Sequence, residues 1–174
     1  MSCYRRIRVP GATYFFTVNL ARRRSSLLVE HIDDLRRAYA AMMMEAPVQS
    51  EAMVVLPDHI HAIWTLPPGD HDYSDRWRRI KARFTRAIGQ RAPSSVSKEI
   101  KREAGIWQRR FWEHTIRGDE DFRQHLAYCW ANPVKHGLVK ASADWPYSSI
   151  HRDIRLRLAA PDWRSVEMDG EFGE

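Results

Sequence analysis

Seven stretches with distinct apolar periodicity follow one another along 174 residues, separated by Pro- and Gly-containing breaks. Their order, β-α-β-β-α-β-α, predicts an α+β fold. It is a ferredoxin-like split βαβ antiparallel sheet with helices on one face, plus an additional helix that carries Tyr128. A chain of this length with 44% hydrophobic residues suits one domain with a substantial core.

Thr13–Leu20 is rich in aromatic and β-branched residues and follows Pro10-Gly11, which predicts the first strand. His31–Glu45 places Ile32, Leu35, Tyr39, Met42 and Met43 at helical spacing, so it reads as the first helix. Glu51–Leu56 and Ile60–Leu66 read as strands two and three around a turn at Pro57-Asp58, ended by Pro67-Pro68-Gly69. Ser74–Ile88 predicts a basic helix with Trp77, Ile80, Phe84 and Ile88 inward and Ser74 as its N-cap. The polar stretch Gln90–Gly105 reads as a long loop, and Trp107–Ile116 as the fourth strand. Asp119–Asn132 predicts the last helix, with acids in its first turn and Pro133 just past its end. The core is expected over about residues 4–151; residues 152–174 are expected to be peripheral, ending in an acidic, disordered tail.

Composition narrows the function classes. No apolar run approaches the ~20 residues of a membrane span, and the N-terminus lacks a signal-peptide apolar segment. Cys3 and Cys129 are too few and too far apart for a disulfide framework or a cysteine-based zinc site. A cytoplasmic protein without membrane association is the expectation. The net charge of +6 is unevenly placed: residues 1–24 hold six arginines and no acid, and residues 76–110 hold twelve Lys/Arg against Glu99 and Glu103. Segregated positive charge interleaved with Trp77, Phe84, Trp107, Phe111 and Trp112 suits a single-stranded nucleic acid, although solvated basic faces and core aromatics look alike at this level.

Chemistry concentrates in two places. In His59-Ile60-His61 the histidines share one side of a strand, roughly 6.5–7 Å apart along the chain. Tyr128 and Asn132 lie four apart on a helix and are neighbours on one face. A helical wheel at about 100° per residue puts Phe122, Leu126, Cys129 and Trp130 on one arc, and Asp121, Gln124, Tyr128 and Asn132 on the opposite one. Tyr128 is thus expected off the face that anchors the helix. Strand histidines and exposed tyrosines are each common without a function. Taken together, two imidazoles and an amide oxygen without a thiolate suit a divalent ion such as Mg²⁺ or Mn²⁺ better than a structural zinc. A metal on His59, His61 and Asn132 would polarise a phosphoryl oxygen, and Tyr128 would attack phosphorus to give a phosphotyrosine.

These residues resemble the HUH single-tyrosine transposases, whose His-hydrophobic-His appears as His59-Ile60-His61 and whose tyrosine four before an amide appears as Tyr128 and Asn132. Within them the chain is most similar to the REP-associated tyrosine transposases. The matching stretches are 10–17, 56–61, 107–114, 132–139 and 145–149, in that order, and the similarity covers about residues 4–151. The resemblance implies cleavage of single-stranded DNA at palindromic REP hairpins through a covalent 5′-phosphotyrosine, leaving a free 3′-hydroxyl. By position, it implies Tyr128 as nucleophile and His59, His61 and Asn132 as metal ligands. Arg5, Arg6, Arg8, Arg22, Arg23, Arg78, Arg79, Lys81, Arg83, Arg109 and Arg110 are the expected DNA contacts. Cys129-Trp130 departs from the aliphatic-then-polar or aromatic pair expected there, a change in packing on the inner arc. From the subfamily a monomer is expected, with a homodimer as the alternative. Rival readings are a non-catalytic hairpin-binding protein, an RNA-binding module, and a metal phosphoesterase that uses water.

Overall fold

A computed structural model describes residues 8–89 and 105–164. Its order is β1 (Thr13–Asn19), α1 (Leu27–Glu30), α2 (Ile32–Glu45), β2 (Gln49–Val55), β3 (His59–Thr65), α3 (Tyr73–Ile88), β4 (Trp112–Thr115), α4 (Asp119–Lys135), a 3-10 turn (Ser142–Asp144) and α5 (Ile150–Arg155). The strands lie in the order β2-β3-β1-β4, with every neighbouring pair antiparallel, which is the split βαβ arrangement. The expected loop over Gln90–Gly105 and the expected tail lie almost wholly outside the described residues, as do Arg5 and Arg6. No described helix is long and apolar enough to cross a membrane.

Both faces of the sheet are covered, and alternation along β1 and β3 divides their side chains between two cores. Tyr14, Phe16 and Val18 of β1 and Ile60, Ala62 and Trp64 of β3 pack against Leu35, Ala38 and Met42 of α2 and Tyr73, Trp77, Ile80 and Phe84 of α3. Trp64 stacks on Trp77 with ring centroids 4.3 Å apart, fixing α3 to the middle of the sheet. Phe15, Ala52, Val54 and Ile63 point the other way and meet Tyr128, Cys129 and Trp130 of α4 and Ile150 of α5.

Element ends differ from the sequence expectation for identifiable reasons. Asp72, not Ser74, caps α3: its side chain accepts from Asp75 N–H at 3.0 Å, which lets Tyr73 enter the helix and bury fully. The fourth strand is shorter than Trp107–Ile116, because only Trp112–Thr115 runs beside β1. Trp107 makes a single bridge to Leu20, and the chain then leaves the sheet with Gln108–Arg110 exposed. Helix α4 continues through Pro133 to Lys135 instead of stopping at Asn132. Proline there forfeits one helical hydrogen bond near the end of the helix. Gly137 (φ 66°) closes the end: Leu138 N–H donates to Pro133 C=O and Gly137 N–H to Val134 C=O.

The outer edge of β2 is occupied as well. Val55 N–H donates to Tyr147 C=O, Ser149 N–H donates to Met53 C=O, and the Arg152 guanidinium donates to Ser50 and Glu51 C=O. Covering the edge in this way removes a template for unwanted strand pairing. Trp163 meets Trp130 edge-to-face at 5.3 Å, so the segment after α5 packs onto the outer side of α4.

Candidate active site

The strand pairing that builds the sheet also builds the site. The β1–β3 register sets Thr17 opposite His61 and Asn19 opposite His59, all on the face that α4 crosses. His59 and His61 are 2% and 0% exposed, with ring centroids 4.9 Å apart and planes at 81°. Each ring is held by its Nδ1 atom: His59 Nδ1 lies 2.6 Å from Asp58 Oδ1, and His61 Nδ1 lies 3.0 Å from Thr17 Oγ1. With Nδ1 engaged in both rings, Nε2 is the nitrogen turned away from the sheet partners. His59 Nε2 is buried and makes no hydrogen bond among the described residues. The same holds for the His61 Nε2 and Asn132 Oδ1 atoms, although both residues make other interactions.

Asp58 is the pivot of this arrangement and is 8% exposed. Its Oδ2 accepts from Arg24 N–H at 2.7 Å, and Arg23 Nε stands 3.4 Å away. Arg24 reaches that bond in a left-handed conformation, φ 62°. Burial alone would raise the Asp58 carboxyl, but the bonds from His59 and Arg24 hold it below its ordinary value. Burial lowers the His59 imidazole and outweighs the opposing pull of Asp58. A neutral imidazole with its Nδ1 proton on a carboxylate presents the Nε2 lone pair, the form a metal needs.

Helix α4 brings Tyr128 and Asn132 to the histidines, and here the wheel misassigned the inward face. Tyr128 is 3% exposed and Asn132 0%. The Tyr128 ring stands edge-on to His61 at 5.2 Å and to Phe15 at 5.9 Å. The expectation that Tyr128 sits off the anchoring face is therefore wrong. This side of the sheet carries Thr17, Asn19, His59 and His61, so a polar and aromatic helix stripe is the one that complements it. Cys129 and Trp130 are also buried, with the Trp163 ring against Trp130, because α4 is covered on more than one side. The Tyr128 hydroxyl accepts a hydrogen bond from Lys135 Nζ at 3.1 Å, and the same ammonium lies 4.9 Å from the ring centroid. Lys135 and His136 are exposed, so the site opens to solvent at this end of α4, where the His136 ring also lies 5.1 Å from His59.

Sequence reading overlooked several of these groups. Asp58 adjoins the motif and could have been found there, whereas Thr17 becomes visible only once strand register is known. A second cluster, His114, Asp121 and His125, was also overlooked, and its donor atoms lie within 4.8 Å of one another. It could hold a metal ion by composition. Its imidazoles, however, stack nearly parallel at 4.6 Å, so their lone pairs run side by side, and ligation by both rings would require one to turn. As it stands, Asp121 joins the two rings through contacts of 2.8 Å to His114 Nε2 and 2.9 Å to His125 Nδ1.

The expected DNA contacts fall into two groups. Arg8, Arg22, Arg23, Arg109 and Arg110 are exposed on turns and loops. On α3, Arg78 pairs with Asp75, Arg79 with Asp75 and Glu45, and Arg83 with Glu45, while Lys81 donates to Gln108 C=O at 3.1 Å. Part of the positive charge of α3 thus ties it to α2. Exposed pairs of this kind are worth roughly 0–1 kcal/mol each, so a phosphate can displace them.

Similarity to known proteins extends along the whole chain. The family model for IS200-like transposases matches residues 9–129, a span that includes both motif histidines and Tyr128. An Escherichia coli (strain K12) REP-associated tyrosine transposase is 47% identical over 174 residues, covering 100% of this chain and 98% of that protein. The chain belongs to the REP-associated tyrosine transposases. A Haemophilus influenzae protein assigned provisionally to the same group is 44% identical over 94% of this chain and 93% of its own length. A solved structure described as a REP-associated tyrosine transposase bound to a REP hairpin superposes with a TM-score of 0.90 at 47% identity, covering 100% of this chain and 98% of that one. REP-associated tyrosine transposases are enzymes acting on DNA. In this one Asn132 and Lys135 lie just beyond the span of the family model.

Proposed function

We propose that this transposase is a metal-dependent single-stranded DNA endonuclease and strand transferase that cleaves at REP hairpins through a 5′-phosphotyrosine on Tyr128. The observation that carries the reading is the juxtaposition of two buried histidines, each anchored through Nδ1, with a tyrosine ring 5.2 Å from one of them. The hairpin in the related structure supports the substrate class.

The residues fit a divalent metal. His59 Nε2 is buried without a hydrogen bond, a costly state for a polar atom unless a ligand meets it. His59, His61 and Asn132 would be the holders, two borderline nitrogens and one hard oxygen that suit Mg²⁺ or Mn²⁺. Once bound, such an ion supplies Lewis-acid polarisation of a phosphoryl oxygen and neutralises its charge.

The protein's own groups do the rest. Asp58 and Thr17 fix the imidazole planes, and Phe15 walls off the Tyr128 ring so that its hydroxyl faces the open end at Lys135. The Tyr128 oxygen attacks phosphorus as the bond to the 3′-oxygen breaks; the new ester keeps the phosphoryl group activated for transfer. Exposed arginines at 8, 22, 23, 109 and 110 follow the phosphate backbone.

The test incubates labelled REP-type hairpin strands with the protein and Mn²⁺ and looks for a denaturation-stable adduct. Wild type is expected to form it and Tyr128→Phe to bind the hairpin without forming it. An adduct with the Phe variant would refute the nucleophile, and cleavage without any adduct would mean that water is the attacking group.

A further inference from the structure

Tyr128, Asn132 and Lys135 occupy positions i, i+4 and i+7 of one helix. Two turns take about 7.2 residues, so the three share a single stripe. The stripe exists because α4 runs through Pro133. A helix ending at Asn132 would leave Lys135 out of register with Tyr128. The Gly137 cap then holds the last turn in place. Lysine near a helix C-terminus is favoured by the helix dipole wherever it points. Here it turns back along the stripe and donates to the Tyr128 hydroxyl at 3.1 Å. Ordering a lysine side chain costs rotamer freedom, which an exposed cation serving only the dipole need not incur.

We propose that Lys135 is a second catalytic residue, whose ammonium group positions the Tyr128 hydroxyl and carries part of the charge that builds on the transferring phosphate. The proposal rests on the nucleophile assignment above and adds a residue to it. In the step, the bond from the Tyr128 oxygen to phosphorus forms while the bond from phosphorus to the 3′-oxygen breaks. The phenolic proton passes to water, and the departing 3′-oxygen takes a proton from water. Lys135 keeps its protons throughout and acts by charge and direction. In strand transfer the same contacts run in reverse, with Lys135 facing the tyrosine oxygen as it leaves.

The contact fits this role in three respects. Lys135 touches the atom that reacts, not the ring alone. Its side chain lies at the solvent-facing end of the site, where a phosphodiester can arrive without displacing the buried histidines. Its charge is also delivered from the same rigid helix as the nucleophile, so the two move together.

The test uses the full chain with Mn²⁺ and a labelled hairpin strand, and reads single-turnover adduct formation against DNA concentration for wild type, Lys135→Met, Lys135→Arg and Tyr128→Phe. At saturating DNA, Lys135→Met is expected to form the adduct about 100-fold more slowly, the usual effect of removing one charge-stabilising donor. Lys135→Arg is expected to recover at least tenfold of that loss, and hairpin affinity should stay within threefold in both. Lys135 is exposed, so neither change should unfold the chain, and equal melting temperatures check this. A Lys135→Met rate within tenfold of wild type overturns the role of Lys135 and leaves Tyr128 standing. So does a loss confined to hairpin affinity, which would make Lys135 a surface phosphate contact. An adduct formed by Tyr128→Phe overturns both assignments.

Discussion

Replacing Asp58 by asparagine removes one acceptor oxygen and one charge from the group that aims His59. Asp58 now meets donors on both sides: the His59 Nδ1 proton at Oδ1, 2.6 Å away, and Arg24 N–H at Oδ2, 2.7 Å away. An amide has a single acceptor atom, so the Asp58→Asn side chain must leave one of these donors facing its NH₂ group. Losing part of a charge-assisted bond at this nearly buried position costs roughly 1–2 kcal/mol, which for a domain of this size lowers Tm by about 2–8 °C. The larger effect should be on metal. Partners that orient a ligating histidine typically account for about 10–100-fold in affinity, so Mn²⁺ binding measured by calorimetry without DNA should weaken by that factor. Hairpin binding without metal should change little, since Asp58 is 8% exposed and offers nothing to a phosphate. An Asp58→Asn variant that binds Mn²⁺ as tightly as wild type, at an unchanged Tm, would refute the link from Asp58 through His59 to the ion.

Other consequences can be measured separately. Tyr128→Phe removes the hydroxyl and its bond from Lys135 and should cost about 0.5–1.5 kcal/mol, whereas Tyr128→Ala empties the space beside Phe15 and should cost roughly 3–5 kcal/mol; denaturant titrations distinguish the two. Burial lowers both His59 and His125, so the unfolded chain takes up these protons first as pH falls. Stability should therefore be full above about pH 6.5, fall by up to ~1.4 kcal/mol per unit for each group below it, and level off under their folded values. Flat stability between about pH 7.5 and 5 would contradict that account. Hairpin affinity should decline steeply with salt, and Arg109→Ala with Arg110→Ala should make the log–log slope shallower by about 1–2; an unchanged slope would place the DNA elsewhere.

Much of the fold was legible because its signals are local. Alternation in Thr13–Leu20 and around His59-Ile60-His61 marks strands, and Trp77, Ile80 and Phe84 mark the buried stripe of α3. The shared face of the two histidines followed from strand geometry alone. What escaped depends on partners distant in sequence. The inward face of α4 could not be read from its own hydrophobicity, since the surface it meets is polar at Thr17, Asn19, His59 and His61 and its other side is covered by the segment holding Trp163. The extent of β4 depended on where β1 runs out of partners. Lys135 carries no role in the sequence because Pro133 predicts a helix that stops at Asn132, although proline in a last turn forfeits only one bond. Asp72 and Ser74 are both good caps by type, and burial of Tyr73 decides between them.

In the proposed reaction Tyr128 becomes covalently joined to DNA. Peptide mapping by mass spectrometry, after reaction with a short hairpin strand and Mn²⁺ followed by nuclease and protease digestion, tests it most directly. The expected products are a nucleotide phosphate on the peptide containing Tyr128, attached through the 5′-phosphate, and a released strand ending in a 3′-hydroxyl. Cleaved DNA with an unmodified Tyr128 peptide, or a phosphate carried by any other residue, would contradict it.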